Sequence, residues 1–189
     1  MLKQSASQTI GPFFHIQLAK AGQNNLIKTG TLGKRIHLVG TVYDGDGVMV
    51  PDAMIEIWQA DGQGIYDSEN DPRRDQCDPN FRGYGCSATQ TGEFSFRTVK
   101  PGIVPFDKST NQAPHVLVRV FMRGTLLHAV TRLYFSDEPE ANAADPLLNR
   151  LDDAQRPRLI AQREDLEATP TYRFDIKMQG DNATIFFEP

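Results

Sequence analysis

A chain of 189 residues with 39% hydrophobic and 23% charged side chains can bury one sizeable core, and no shift of composition along it marks a second domain. With 20 basic against 24 acidic residues the formal charge is −4, so the positive field of a nucleic-acid or anionic-membrane binder is missing and those partners are excluded. No apolar run is long enough to span a bilayer and "MLKQSASQTI" lacks the apolar stretch of a secretory leader, which points to a cytoplasmic protein.

In chain order, "RIHLVGTVYDGDG" sets Ile36, Leu38 and Val42 among more polar neighbours and breaks at Asp44 to Gly47, a strand followed by a tight turn. "DAMIEIWQADGQG" repeats the scheme, with Met54, Glu56 and Trp58 on one face, Ile55 and Ile57 on the other, and Gly62 and Gly64 as its end. Cys77 and Cys86 then flank "DPNFRGYG". A bridge between them is sterically possible, but in an unexported chain the reduced state is expected, with both acting as packing or loop thiols.

"GEFSFRTVKPG", "PHVLVRVFMRG", "LHAVTRLYF", "TYRFDIKMQG" and "ATIFFE" follow at short spacing, rich in β-branched and aromatic residues and mostly closed by Gly or Pro. Helix signals are confined to residues 137–164, where Asp145-Pro146 is placed to start a short helix and Pro157 interrupts a longer one. The expected fold is all-β, an antiparallel β-sandwich with short helical excursions, in one domain spanning residues 1–189.

"GDG" and "DGQG" have no phosphate-loop or dinucleotide spacing around them and are turns. No serine sits in a Gly-x-Ser-x-Gly elbow and neither cysteine has a catalytic setting, so hydrolase chemistry has no specific support. The available metal donors are His15, His37, His115 and His128 with five tyrosines. His37 and His128 are expected to be hydrogen-bonded structural residues. His115, after a proline at the mouth of a strand, is a core residue, half of a metal site completed elsewhere, or the remnant of a lost one. Tyr66, just beyond "WQADGQG", is the oxygen donor that with a histidine would begin an Fe(III) site.

Taken together and in order, "IEIWQADGQGIY", "DPNFRGYG", "GEFSFRTVKPG", "APHVLVRVF" and "RGTLLHAVTRLYF" resemble the intradiol ring-cleavage dioxygenases. "SQTIGPFFHI" and "YRFDIKMQGDNATIFFE" extend the resemblance from Ser7 to Glu188, and they are similar to the family's two-chain members. The resemblance implies a β-sandwich and non-haem Fe(III) held by two Tyr and two His. The family's first tyrosine and first histidine fall on Tyr66 and His115. Its second tyrosine falls on or beside Val104 and its second histidine on Leu117, and these side chains offer no lone pair.

The resemblance therefore implies that Tyr66 and His115 survive from a site that no longer binds iron, and that Fe(III) sits on a partner β chain that keeps all four ligands. Tyr66 and His115 are then expected to bond one another or to fill the old pocket. The implied reaction is cleavage of 3,4-dihydroxybenzoate by O2 between its two hydroxylated carbons, giving 3-carboxy-cis,cis-muconate. For this chain the resemblance implies an N-terminal docking arm at about residues 1–30 and a share in the substrate pocket over the partner's iron. That share falls on Thr9, Ile10, Gly11, Pro12 and Arg123, with Phe13 where the family often has a tyrosine.

A glycine-proline pair is stiff and slender enough to press on a flat ring, and an arginine before Gly124 can meet a carboxylate with a fixed fork. Arg132 is the rival arginine, although its place within a strand suggests an internal ion pair. Two alternatives remain at this level: a self-sufficient iron dioxygenase with ligands elsewhere, and a non-enzymatic β-sandwich binding module.

Overall fold

Strand alternation builds the molecule. In the computed structural model, which describes residues 18–89, 92–164 and 168–188, the stretch His115–Phe121 becomes strand β8, with Val116, Val118 and Val120 sunk into the core while His115, Leu117, Arg119 and Phe121 alternate onto the other face. The preceding strands are β1 (Arg35–Gly40), β2 (Val42–Tyr43), β3 (Met54–Gln59), β4 (Tyr84–Ala88), β5 (Phe94–Val99), β6 (Val104–Pro105) and β7 (Asn111–Gln112). After β8 come β9 (Ala129–Phe135), the helix α1 (Pro139–Ala144), β10 (Ile160–Glu164), β11 (Thr171–Arg173) and β12 (Ile176–Lys177).

Eight strands form one sheet in the order β4-β3-β8-β9-β10-β11-β1-β5, with β6-β7 and β12-β2 as short separate pairs. The two ends of the large sheet meet where the Ser95 amide on β5 donates to Ser87 Oγ on β4 at 3.2 Å, so the sheet curls almost into a barrel. The chain is mostly sheet, as expected, but the sheet is mixed instead of antiparallel: β1 runs parallel to β11, and β9 parallel to β10. A hairpin cannot return a chain in its original direction. The β9–β10 connection, which carries α1 and two 3-10 turns, is long enough to do so.

That connection also revises the expected helix. The helix starts at Pro139 and ends at Asp145 instead of beginning there. Asp145 Oδ1 accepts the amides of Leu147 and Leu148 at 2.8 and 2.9 Å and so opens the 3-10 turn Leu148–Arg150. Pro157 lies in a second such turn, Arg156–Leu159, and the segment after it is a strand.

The main core lies inside the curled sheet, with Ile36, Leu38, Ile55, Phe96, Val118 and Phe135 among its members. A second cluster of Ala113, Tyr134, Leu148 and Leu159 forms outside β9, under the helical connection. Residues 24–26 run along β5, where Leu26 N–H donates to the Arg97 carbonyl at 2.9 Å. Both cysteines are free, Cys86 buried in β4 and Cys77 partly exposed. Among the described residues no helix is long and apolar enough to cross a membrane.

Candidate functional site

The loop after β3 is held by one carboxylate. Asp61, 2% exposed, accepts the amides of Gln63 and Ile65 on Oδ1 at 2.8 and 3.0 Å and that of Asp78 on Oδ2 at 2.9 Å. Its carbonyl accepts the amides of Gly64 at 3.0 Å and Gly102 at 2.9 Å, which ties "DGQG" to "KPG". Gly64 has a φ of +78°, and a Cβ there would collide with the Ile103 carbonyl. The glycine is thus required by both conformation and space. This clamp carries Tyr66 and Val104 to the wall of the same cavity, about 660 Å³ in volume, with Trp58, Pro105 and Phe106. The Trp58 and Tyr66 rings stack at 5.9 Å.

His115 faces this wall from β8 and is 3% exposed. Its Nδ1 lies 2.7 Å from the Ala113 carbonyl, which can only accept, so Nδ1 carries the proton. Nε2 is then a lone pair, and the Tyr66 hydroxyl 3.2 Å away donates to it. Burial, and secondarily the charge of Arg132, lower the His115 pKa to about 4, so the imidazole is neutral at pH 7. Burial also raises the Tyr66 pKa, against an opposing effect of Arg132. The pair is a neutral phenol donating to a neutral imidazole.

Around it lies a second ring of contacts. In the β8–β9 register His115 faces Tyr134 and Leu117 faces Arg132. Tyr134 donates to Asp145 Oδ1 at 3.2 Å, and Asp145 Oδ2 accepts the Ala113 amide at 2.9 Å. Arg132 donates from Nη1 to Gln112 Oε1 at 2.7 Å. Where an ion pair is expected for Arg132, its partner among the described residues is the neutral Gln112. Burial and the Asp145 charge push the Tyr134 phenol up. The buried side-chain oxygens that lack a partner among the described residues, Asp52 Oδ1, Asp137 Oδ1 and Asn142 Oδ1, all lie outside this network.

The four positions singled out for an iron site therefore come together, but they do not fit a metal ion. Val104 and Leu117 have no donor atoms, and the two side chains that do, Tyr66 and His115, are hydrogen-bonded to each other. Among the described residues no group of three or more His, Cys, Asp or Glu is placed to hold a metal. His128 stacks on Phe121 at 5.2 Å and the His37 amide donates to the Pro170 carbonyl at 2.9 Å, both within the sheet architecture.

Arg123 lies elsewhere, in the β8–β9 turn before Gly124, whose φ is +82°. Its side chain is 65% exposed and its Nε pairs with Asp52 Oδ2 at 2.7 Å. Thr9, Ile10, Gly11 and Pro12, with Phe13, lie outside the described residues. Sequence reasoning missed Tyr134 and Asp145. A buried tyrosine facing His115 follows only from strand register, and Asp145 was legible as a cap but not as a ligand of the Ala113 amide, 32 positions away in sequence.

A family model described as "Dioxygenase" matches residues 10–180. The protocatechuate 3,4-dioxygenase alpha chain of Pseudomonas putida is 41% identical, covering 100% of this chain and 98% of its own. The protocatechuate 3,4-dioxygenase beta chain of Burkholderia cepacia is 34% identical over 94% of this chain and 77% of its own. Among solved structures, the intradiol ring-cleavage dioxygenase from Tetranychus urticae shares the fold with a TM-score of 0.62 at 18% identity, covering 86% of this chain and 90% of that one. With a family model over most of its length and a full-length relative at this identity, the chain belongs to the intradiol ring-cleaving dioxygenases.

Proposed function

We propose that this chain is the metal-free α subunit of a protocatechuate 3,4-dioxygenase. Its partner is a β chain that carries non-haem Fe(III), and the pair cleaves 3,4-dihydroxybenzoate with O2 between the hydroxylated carbons to give 3-carboxy-cis,cis-muconate. The similarity to the P. putida alpha chain supports this. The observation that carries it is the Tyr66–His115 hydrogen bond, formed where Val104 and Leu117 stand at the other two positions of the family's ligand set. A site with two donors, each committed to the other, has no capacity for iron of its own.

In this proposal residues 1–189 act as one domain, cytoplasmic, whose N-terminal arm at about 1–30 docks on the β chain. Thr9, Ile10, Gly11 and Pro12 would close over the substrate ring, and Arg123 would receive its carboxylate. Asp52 fixes the Arg123 Nε, which aims the terminal nitrogens as a positive fork while the side chain stays mostly exposed. Orientation of this kind lets the α chain raise the rate of chemistry it does not itself perform.

The test is iron content and the visible spectrum of the chain alone and after co-expression with its β partner. A colourless, iron-free chain and a coloured complex that cleaves protocatechuate are expected. A coloured chain holding stoichiometric iron on its own would refute the proposal and make this chain a self-sufficient enzyme. A complex inactive on protocatechuate would instead favour a binding module.

A further inference from the structure

The outer face of β1 and β5, on the side of the curled sheet away from β8, gathers positive charge in a chain whose formal charge is −4. Ile36, Leu38 and Phe96 belong to the core, so alternation turns Arg35, His37 and Arg97 outward. Register brings these three together. His37 stands opposite Arg97, and Asn25 bridges to Arg97 from its other side. Arg35, opposite Val99, is a diagonal neighbour of Arg97, a spacing of about 7–8 Å. With Ile27 and Thr169 these side chains line a cleft of about 390 Å³. Among the described residues no carboxylate lines it, whereas Asp71 and Asp107 line the cavity beside Tyr66, and Glu164 and Asp175 line the one beside β11. Its two guanidiniums are also unanswered. Arg74, Arg123, Arg163 and Arg173 each pair with a carboxylate, but Arg35 and Arg97 have no side-chain partner among the described residues.

We infer that the cleft between Arg35 and Arg97 is a binding site for a small organic anion carrying two or more negative charges, a phosphate ester or a polycarboxylate. The site is separate from the pocket of Tyr66 and His115 and does not depend on how that pocket is read. Two like charges this close lie within the screening length of physiological salt, about 8 Å, and so repel. One multiply charged ligand turns that repulsion into attraction at both. Each guanidinium presents a planar fork that takes two oxygens of a phosphate or carboxylate. Asn25 Oδ1 accepts the Ile27 amide at 3.2 Å, which leaves the Asn25 Nδ2 as a further donor. Thr169 adds a hydroxyl and Ile27 an apolar wall. The volume is of the size that holds a small molecule and exceeds what a bare phosphate fills, so the anion has a carbon frame.

The experiment is isothermal titration calorimetry of the full chain in its purified complex, at fixed ionic strength, with glycerol 3-phosphate and with propane-1,2,3-tricarboxylate as probes. At least one probe is expected to bind with a Kd of about 1 mM or tighter, and which one binds identifies the anion class. R35Q and R97Q should each weaken it about tenfold and R35Q/R97Q should abolish it. Both side chains are exposed, so these variants leave the core untouched. R150Q, which removes the same charge from the exposed end of the 3-10 turn after α1, should bind as wild type does. Failure of both probes overturns the inference, as does R150Q losing as much affinity as R35Q, or R35Q/R97Q keeping the wild-type Kd. Asp165 and Glu167 precede Thr169 in sequence and lie outside the described residues. Binding that appears only in D165N/E167Q would show the arginines answered from within the chain, and it too overturns the inference.

Discussion

Replacing His115 by Gln should flatten the acid side of the stability curve. In the folded chain the imidazole pKa lies at about 4, against 6.5 for an unperturbed histidine, because burial and then Arg132 disfavour its cation. The sign follows from where the proton binds. Between pH 6.5 and 4 the unfolded chain takes up a proton at this position and the folded chain does not, so stability falls as pH falls through that window. The contribution is fully present above 6.5 and gone below about 4. A gap of this size is worth roughly 3 kcal/mol, of which about 2.5 is lost by pH 4.5.

Glutamine cannot titrate and can still accept from Tyr66. H115Q is therefore expected to be less stable than wild type by about 1–3 kcal/mol at pH 7.5, through lost packing and the lost bond to Ala113. That deficit should close or reverse by pH 4.5. The single tryptophan, Trp58, stacks on Tyr66 and gives a local fluorescence signal for urea unfolding at each pH. Carboxylates shared by both proteins cancel in the difference. A wild-type-minus-variant difference that stays constant from pH 7.5 to 4.5 would refute the assignment of a buried neutral imidazole.

Tyr66→Phe removes the hydroxyl that donates to His115 Nε2 and should cost about 1–3 kcal/mol in urea unfolding, the penalty for a buried acceptor left bare; an unchanged midpoint would mean the bond does not form in solution. Gly64→Ala combines a strained φ with a collision against Ile103, so a loss above about 2 kcal/mol is expected, and a normal melting temperature would show that the loop is not clamped as described. Lys100→Met leaves Asp137 and Glu138 without the ammonium that pairs with both, beneath the rings of Phe135 and Tyr172, and should cost about 2–4 kcal/mol in thermal unfolding. Arg123→Ala, at an exposed pair, should cost this chain under about 1 kcal/mol, yet raise KM of the αβ complex chiefly for carboxylated catechols. Equal losses with plain catechol would count against its place in the pocket.

Much of the fold was legible because alternation on strands is a local signal. Ile55 and Ile57 against Glu56 and Trp58, or the three valines of "HVLVRV", assign a buried face before any partner is known. Strand direction was not legible. The parallel pairing of β9 with β10 depends on where a long connection returns, and "IAQRE" lies inside a stretch whose prolines and short apolar runs look helical. Of the candidate site, the positions 66, 104, 115 and 117 were visible through family resemblance and Arg132 as the rival of Arg123, whereas Tyr134 looked like an ordinary strand residue. Its importance comes from register, which sets 132 opposite 117 and 134 opposite 115, and register is a property of two strands together.

A metal site that loses half its ligands leaves the others buried, polar and unpaired, at a cost of about 1–3 kcal/mol for each bare group. On the proposed reading of this chain as metal-free, that cost is avoided by the geometry of the two donors that remain. Tyr66 and His115 are within reach of each other and share a hydrogen bond of 3.2 Å. The Ala113 carbonyl orients His115, and Asp145 holds the backbone that supplies it by accepting the Ala113 amide. The strands that aimed the ligands also form the core, through the opposite face of the same residues' neighbours, so the fold is kept whether or not a metal binds. On the same reading the chain acts through its surface, where the turn carrying Arg123 leaves that side chain mostly exposed beside Asp52.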